Sequence, residues 1–367
     1  MATLQQTTAS LPSYWYSVTD RTAWQKHLDL EGFVVLKSVA SLEDVEEVKN
    51  LLWQDLESDT EGMTRNDAST WHNLKLPSHG ICANLAQSAA QWHLRSLSRV
   101  QDVFRCIWGV DDLITSMDAV IIWKPWVAGT KAPVWRPRSR ETDTMGESSE
   151  SKPLLLPPRT EGLHIDQNPF SKPQLDCVQG MVPLLSVTPV FGGLQVIPRS
   201  HLAEGQTMLL DSHPDIREKW GGADWCPLPH NSPLTNRAIL LEADAGDLIL
   251  WDSRLIHGGK IGTGLTLPSS MCLDGNAPTS SAIAEGSIKT NSTTPMTELA
   301  RMTLTVAMTP RAWASETTQQ QRREGFFAGR SFNHCPHEAG TSTGTIHASR
   351  KKSYMAFELN DAQRAVL

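Results

Sequence analysis

The chemistry-bearing stretch of this 367-residue chain is GLHIDQNPF. Side chains alternate between faces along an extended strand, so His164 and Asp166 project the same way and can grip one ion. A third donor, His257, stands downstream in GDLILWDSRLIHGG, where Gly258 and Gly259 are expected to let the backbone turn tightly. Two imidazoles and one carboxylate on one face of a metal leave the remaining positions open, the pattern suited to non-haem Fe(II) and O2 chemistry. The same three ligands would serve a Zn2+ hydrolase whose nucleophile is a bound water. A non-catalytic barrel used as a scaffold is the third reading, and an intact triad argues against it.

A second constellation lies in RMTLTVAMTP. Strict alternation places Arg301, Thr303 and Thr305 on one face and Met302, Leu304 and Val306 on the other. An inward Arg is costly unless paired, and its natural partner is a carboxylate held by the guanidinium fork, with Thr303 adding a hydrogen bond. Arg254 and Arg311 are the competing anchors, but neither opens a strand of this periodicity. Gln179 could reach the same carboxylates through its amide. Trp123, Asn168 and Phe170 are placed by their sequence positions to line the substrate side. His201 is read as structural, Asp252 as a turn residue, and His334 and His337 around Cys335 as lacking a fourth zinc ligand at a suitable spacing.

The elements that must position these residues are mostly strands. DAVIIWK, LDCVQGMVPLLSV, GGLQVIP, GDLILWDS and RMTLTVAMTP are short β-type runs separated by Gly, Pro and Asp clusters, too close together for crossover helices. They predict an antiparallel barrel or sandwich over residues 111–315. Residues 1–110 read as helical support with one strand, FVVLKSV. The first helix stops at Gly32, a second is capped by Ser41 with Val45, Val48, Leu52 and Leu56 as its buried stripe, and one long helix is expected from about Ala83 to Ile107. Residues 127–159 and 262–297 read as long insertion loops at the rim of the metal pocket, of the kind that act as lids. Residues 316–367 read as a tail packed on the barrel exterior, so the whole chain is expected to form a single catalytic domain.

Composition narrows the function classes. A net charge of −7 and the absence of any Lys/Arg block argue against a nucleic-acid partner. No run of about 18 apolar residues occurs, so no membrane span is expected. Six scattered cysteines without a CxxC pair read as free thiols, and with no signal-type amino terminus the expectation is a cytoplasmic protein. The expected partner is a small-molecule substrate; oligomeric state is not encoded in any feature of the sequence.

Taken in order, HIDQNPF, VQGMVPLL, GGLQVIPRSH, GDLILWDSRLIHGG and RMTLTVAMTP resemble the signature of the phytanoyl-CoA dioxygenase family of Fe(II)/2-oxoglutarate-dependent oxygenases, over roughly Asp20 to Pro310. The resemblance implies a double-stranded β-helix, a cupin-like jelly-roll, with helices on one sheet. It implies His164, Asp166 and His257 as iron ligands, Arg301 as anchor of the distal carboxylate of 2-oxoglutarate, and O2 as oxidant. Relatives that halogenate lack the carboxylate ligand, so Asp166 favours hydroxylation, desaturation or a related radical oxidation. The expected substrate is a small, largely apolar metabolite, possibly of a biosynthetic pathway, with acyl-CoA hydroxylation as the alternative. The chain departs from the family pattern at Arg199, where Gly is usual, and in the long stretch between His257 and Arg301.

Overall fold

A computed structural model describes residues 13–129, 156–266, 298–338 and 357–367. Two sheets face each other. The larger runs, in spatial order, through β1 (Trp15–Ser17), β2 (Phe33–Lys37), β11 (Leu248–Asp252), β7 (Val178–Pro183), β13 (Arg301–Pro310), β5 (Val120–Trp123) and β3 (Ile81–Cys82), with β4 (Leu113–Thr115) also paired to β13. The smaller runs through β10 (Ile239–Leu240), β8 (Gly192–Val196), β12 (His257–Ile261), β6 (His164–Ile165) and β9 (Cys226–Pro227). Apart from the parallel β1–β2 pair, these ladders are antiparallel. This is the antiparallel two-sheet architecture expected from the strand spacing, and it agrees with the jelly-roll that the resemblance implies.

Alternation along the strands sorts residues into layers. Val34, Leu36, Val120, Ile122, Leu248, Leu250, Met302, Leu304, Val306 and Met308 face outward from the large sheet. They pack on the helices α1 (Arg21–Glu31), α2 (Leu42–Asp59), α3 (Ala89–Ser96) and α4 (Ser98–Trp108) through Trp24, Val48, Leu52, Leu94 and Phe104. The opposite faces of the two sheets meet through Phe33, Val35, Met181, Leu194, Val196, Ile249 and Trp251, an apolar cluster between the sheets. Behind the small sheet lie α5 (Ala203–Ser212) and α6 (Ile216–Trp220), joined to Leu163, Ile165 and Ile197 in a separate apolar cluster. Two further helices, α7 (Glu316–Phe327) and α8 (Asp361–Ala365), follow the barrel.

The local rules hold at α1 and α2. Gly32 takes the left-handed conformation (φ 84°) that ends α1, and Ser41 and Asp44 form a reciprocal capping box at the start of α2. Two expectations are corrected and one departure from the family pattern is explained. The long helix from Ala83 to Ile107 is instead two helices: Ser88 caps α3 by accepting from the Gln91 N–H, and Leu97 adopts extended backbone (φ −60°, ψ 121°) between α3 and α4. Gly258 and Gly259 do not turn the chain; they lie within β12 opposite Gln195 and Leu194. A Cβ on Gly258 would collide with the Gly162 carbonyl, so glycine is needed there for the close approach of the β6 and β12 segments. Arg199 has φ 63°, the backbone that explains why glycine is usual at this position; its N–H donates to the Glu31 carbonyl and its Nε lies 3.3 Å from Glu31 Oε1.

Most of the two expected insertion loops and part of the tail lie outside the described residues. Their roots do not: Val127 and Leu265 form a parallel bridge, so both segments depart from one point beside the Trp123–Trp126 cluster.

Candidate metal centre

His164 and His257 are direct register partners across β6 and β12, and Asp166 follows His164 by one pleat. The three donors converge, with ligand atoms within 4.8 Å of one another. Asp166 Oδ1 lies 3.6 Å from His164 Nε2 and Oδ2 lies 3.2 Å from His257 Nε2. Each imidazole is oriented from behind. His164 Nδ1 sits 3.0 Å from the Gly162 carbonyl and His257 Nδ1 2.9 Å from the Leu255 carbonyl. A carbonyl only accepts, so Nδ1 carries the proton in both rings and Nε2 offers its lone pair to the shared space.

The charges around this space fit a cation. Burial alone would raise the Asp166 pKa, but His164, His334 and His257 surround the carboxylate and hold it well below the ordinary range. Burial pushes the His164 pKa down despite the neighbouring Asp166, favouring the neutral imidazole that a metal requires. Gln179, expected to contact a co-substrate, instead donates from Nε2 to Asp166 Oδ2 at 2.9 Å. It orients the carboxylate.

The three candidate anchor arginines have separated. Arg254 is spent on Asp252, which ends β11 rather than making a turn: Nε and Nη2 reach the two carboxylate oxygens at 3.0 and 2.6 Å. Arg311 pairs with Asp112 beyond the far end of β13. Arg301 is only 5% exposed, inside the barrel, and has no carboxylate within ion-pair distance among the described residues. Its Nε donates to Thr303 Oγ1 at 3.3 Å and its Nη2 lies 3.5 Å from Met181 Sδ. The guanidinium stacks over Trp123, 4.5 Å from the ring centroid, while the Trp123 indole N–H is committed to the His79 carbonyl. Burial lowers the Arg301 pKa to about 10. A buried guanidinium without a counter-charge is expensive, and an anionic ligand removes that cost.

The guanidinium and the metal ligands share one wall of the barrel. Met181, beside the guanidinium, and Gln179, on Asp166, are two residues apart on the inner face of β7. Two strand residues rise roughly 7 Å along β7.

Two expected substrate residues are placed elsewhere. Asn168 is fully buried and spends its amide on the Gly221 and Ala223 carbonyls while accepting from the Phe170 N–H. Phe170 packs near Trp220, 6.1 Å between ring centroids, behind the small sheet. Two residues near the centre are not assigned to it from sequence: His334 reads only as a zinc candidate beside Cys335, and Trp225 is not singled out. His334 Nδ1 is 4.0 Å from Asp166 Oδ2, carried there by a tail segment anchored through the Phe332 N–H to the Met117 carbonyl. Trp225 lies 6.4 Å from His164 between ring centroids and is 51% exposed, presenting an aromatic face at the mouth of the site. His201 is structural, with Nε2 against the Asp29 carbonyl. Cys335, His337 and Glu338 form a separate cluster, in which Glu338 is ion-paired to Lys172 at 2.6 Å.

Residues 153–261 match the family model described as phytanoyl-CoA dioxygenase. Over that stretch the chain is similar to this family. The matched stretch includes His164, Asp166 and His257 and ends before Arg301. A curated relative, Ava biosynthesis cluster protein O of Aspergillus versicolor, is 24% identical over 247 residues, covering 64% of this chain and 70% of its own. Among solved structures, the epimerase SnoN in complex with Fe3+, alpha-ketoglutarate and nogalamycin RO is 14% identical, with a TM-score of 0.41, over 79% of this chain and 83% of that one. AviO1 from Streptomyces viridochromogenes Tue57 is 12% identical, with a TM-score of 0.40, over 80% of this chain and 96% of that one. No described helix is long and apolar enough to cross a membrane.

Proposed function

We propose that this chain is an Fe(II)/2-oxoglutarate-dependent oxygenase that oxidises a small, largely apolar organic metabolite in a biosynthetic pathway. The observation that carries the reading is Arg301: a buried guanidinium without a carboxylate partner among the described residues, inside the same barrel as the His164, Asp166 and His257 cluster. A hydrolase would have no use for it. The three donors hold the iron, and Arg301 with Thr303 binds the distal carboxylate of 2-oxoglutarate. Bound Fe(II), 2-oxoglutarate and O2 together supply an oxidant able to take hydrogen from an unactivated C–H bond.

The chain's own residues account for the rest. The Gly162 and Leu255 carbonyls fix both imidazoles, and Gln179 fixes Asp166, so the donor set is oriented before anything binds. Trp123 stacks on the Arg301 guanidinium and keeps it from water, while Met181 and Ile249 give the inner wall its apolar surface. Trp225 offers the substrate an apolar, planar contact next to His164. The name of the Aspergillus relative supports a biosynthetic setting.

The test is a metabolite screen with the purified protein, Fe(II) and 2-oxoglutarate in air, scored by succinate release. The reading predicts that a productive metabolite stimulates succinate formation and that omission of O2, Fe(II) or 2-oxoglutarate abolishes it. Turnover of any substrate with Zn2+ and without O2 would overturn it.

A further inference from the structure

One buried donor inside the barrel has no acceptor. Trp251 is 3% exposed and faces inward on β11, because alternation sends Leu248 and Leu250 to the helical layer. Its register partner on β7 is Gln179, the residue that holds Asp166, and its ring lies 5.4 Å from that of His257. The indole Nε1 is buried without a hydrogen-bond partner. The neighbouring interior is apolar, formed by Phe33, Met181, Ile249, Leu194, Val196 and Leu255. An indole N–H can only donate, and a buried unpaired donor is destabilising. A residue serving only to fill this space would not need a nitrogen.

We propose that Trp251 is a positioning residue for the co-substrate, its indole N–H donating to an oxygen at the metal end of the bound 2-oxo acid. The inference rests on the oxygenase reading. Its logic is positional: Arg301 and Met181 mark the distal end of the diacid, whereas Gln179 and Trp251 form the next inward-facing row toward the metal. The row that orients the iron's carboxylate also presents the one buried side-chain donor of the described β11 strand that no protein atom uses. Trp251 would then set the orientation of the chelating end while Arg301 sets where the chain terminates.

The experiment replaces the N–H but keeps an aromatic ring. Trp251→Phe and the wild-type protein are loaded with Fe(II) under anaerobic conditions and titrated with 2-oxoglutarate, following the visible charge-transfer absorption that a chelated 2-oxo acid gives with Fe(II). Loss of one neutral hydrogen bond predicts a roughly five- to tenfold weaker 2-oxoglutarate affinity, together with a displaced absorption maximum. Fe(II) affinity and melting temperature should stay at the wild-type level. Trp251→Leu, a second side chain without the N–H, is read the same way if the phenylalanine variant does not accumulate. Wild-type affinity and an unmoved maximum in the variant would overturn this inference alone. Absence of the band in the wild-type protein would overturn the oxygenase reading, and this inference with it.

Discussion

Two buried guanidiniums in this molecule face opposite situations. Arg322, on α7, is fully buried and donates to the main-chain oxygens of Thr115, Pro336 and Leu367 at 2.5, 3.3 and 3.2 Å. Arg301, inside the barrel, has a hydroxyl and a thioether at the limit of hydrogen-bond distance. The first is satisfied by the fold it holds together. The second is left with donors the fold does not use, which is the mark of a group kept for a ligand. Burial alone therefore does not distinguish a structural arginine from a binding one; the partners do.

Mutation should break the two sites in opposite ways. The largest effect is expected at Arg301, where alanine removes a charge-assisted bidentate contact worth about 2–5 kcal/mol, roughly 30- to several-thousand-fold in 2-oxoglutarate affinity. Thermal stability should hold or rise in that variant, since a buried charge has gone; calorimetry and anaerobic ligand titration measure the two quantities separately. Arg322→Met should do the reverse. It strands buried carbonyls and is expected to cost about 3–5 kcal/mol of folding stability by chemical denaturation, with 2-oxoglutarate affinity kept within a few-fold at a permissive temperature.

Smaller effects sharpen the contrast. Gln179→Leu removes the hydrogen bond to Asp166 Oδ2 and should weaken Fe(II) binding about 10- to 100-fold in competition with a chelator, because partners of metal ligands act at that scale. A carboxylate offers a third case. Asp118 has its pKa pushed up to about 7 by burial and by Asp166 and Glu161, with Arg95 opposing. The folded state then holds a proton that the unfolded chain has released, so this residue's contribution to stability falls as pH rises from about 4 to about 7 and is flat above. Asp118→Asn should be near neutral at pH 4 and stabilising by up to about 4 kcal/mol at pH 8 in metal-free protein, read from paired melting curves. Equal shifts at both pH values would remove Asp118 from the set of buried charges.

The parts of the site that were legible in the sequence are those written in local periodicity. The period of two puts His164 with Asp166 and Arg301 with Thr303, and the same alternation sorts Met302, Leu304 and Val306 into the helical layer. The strands and the capped helices α1 and α2 follow from equally local signals. What was not legible depends on partners distant in sequence. Asn168 reads as a pocket residue until the Gly221 and Ala223 carbonyls are seen to consume it, and Gln179 reads as a co-substrate ligand until Asp166 claims its amide. His334 stands 33 residues beyond Arg301 in a tail with no periodic pattern, and long-range contacts, the Phe332 N–H to the Met117 carbonyl and Cys335 packed on Cys177 and Ala307, bring it to the metal centre. Leu97 divides a continuous helical pattern because its backbone is extended, a choice the apolar spacing does not record.

The central claim is that one cavity holds both Fe(II) and a five-carbon 2-oxo diacid, the first on His164, Asp166 and His257 and the second on Arg301. Anaerobic titration of Fe(II)-loaded protein with 2-oxoglutarate tests it most directly, comparing wild type with Arg301→Ala. The account predicts a charge-transfer band saturating at one equivalent in the wild-type protein, and in the variant the same iron content with the band appearing only at far higher 2-oxoglutarate. A wild-type protein that binds Fe(II) but develops no band, or a variant that saturates at the wild-type concentration, would contradict it.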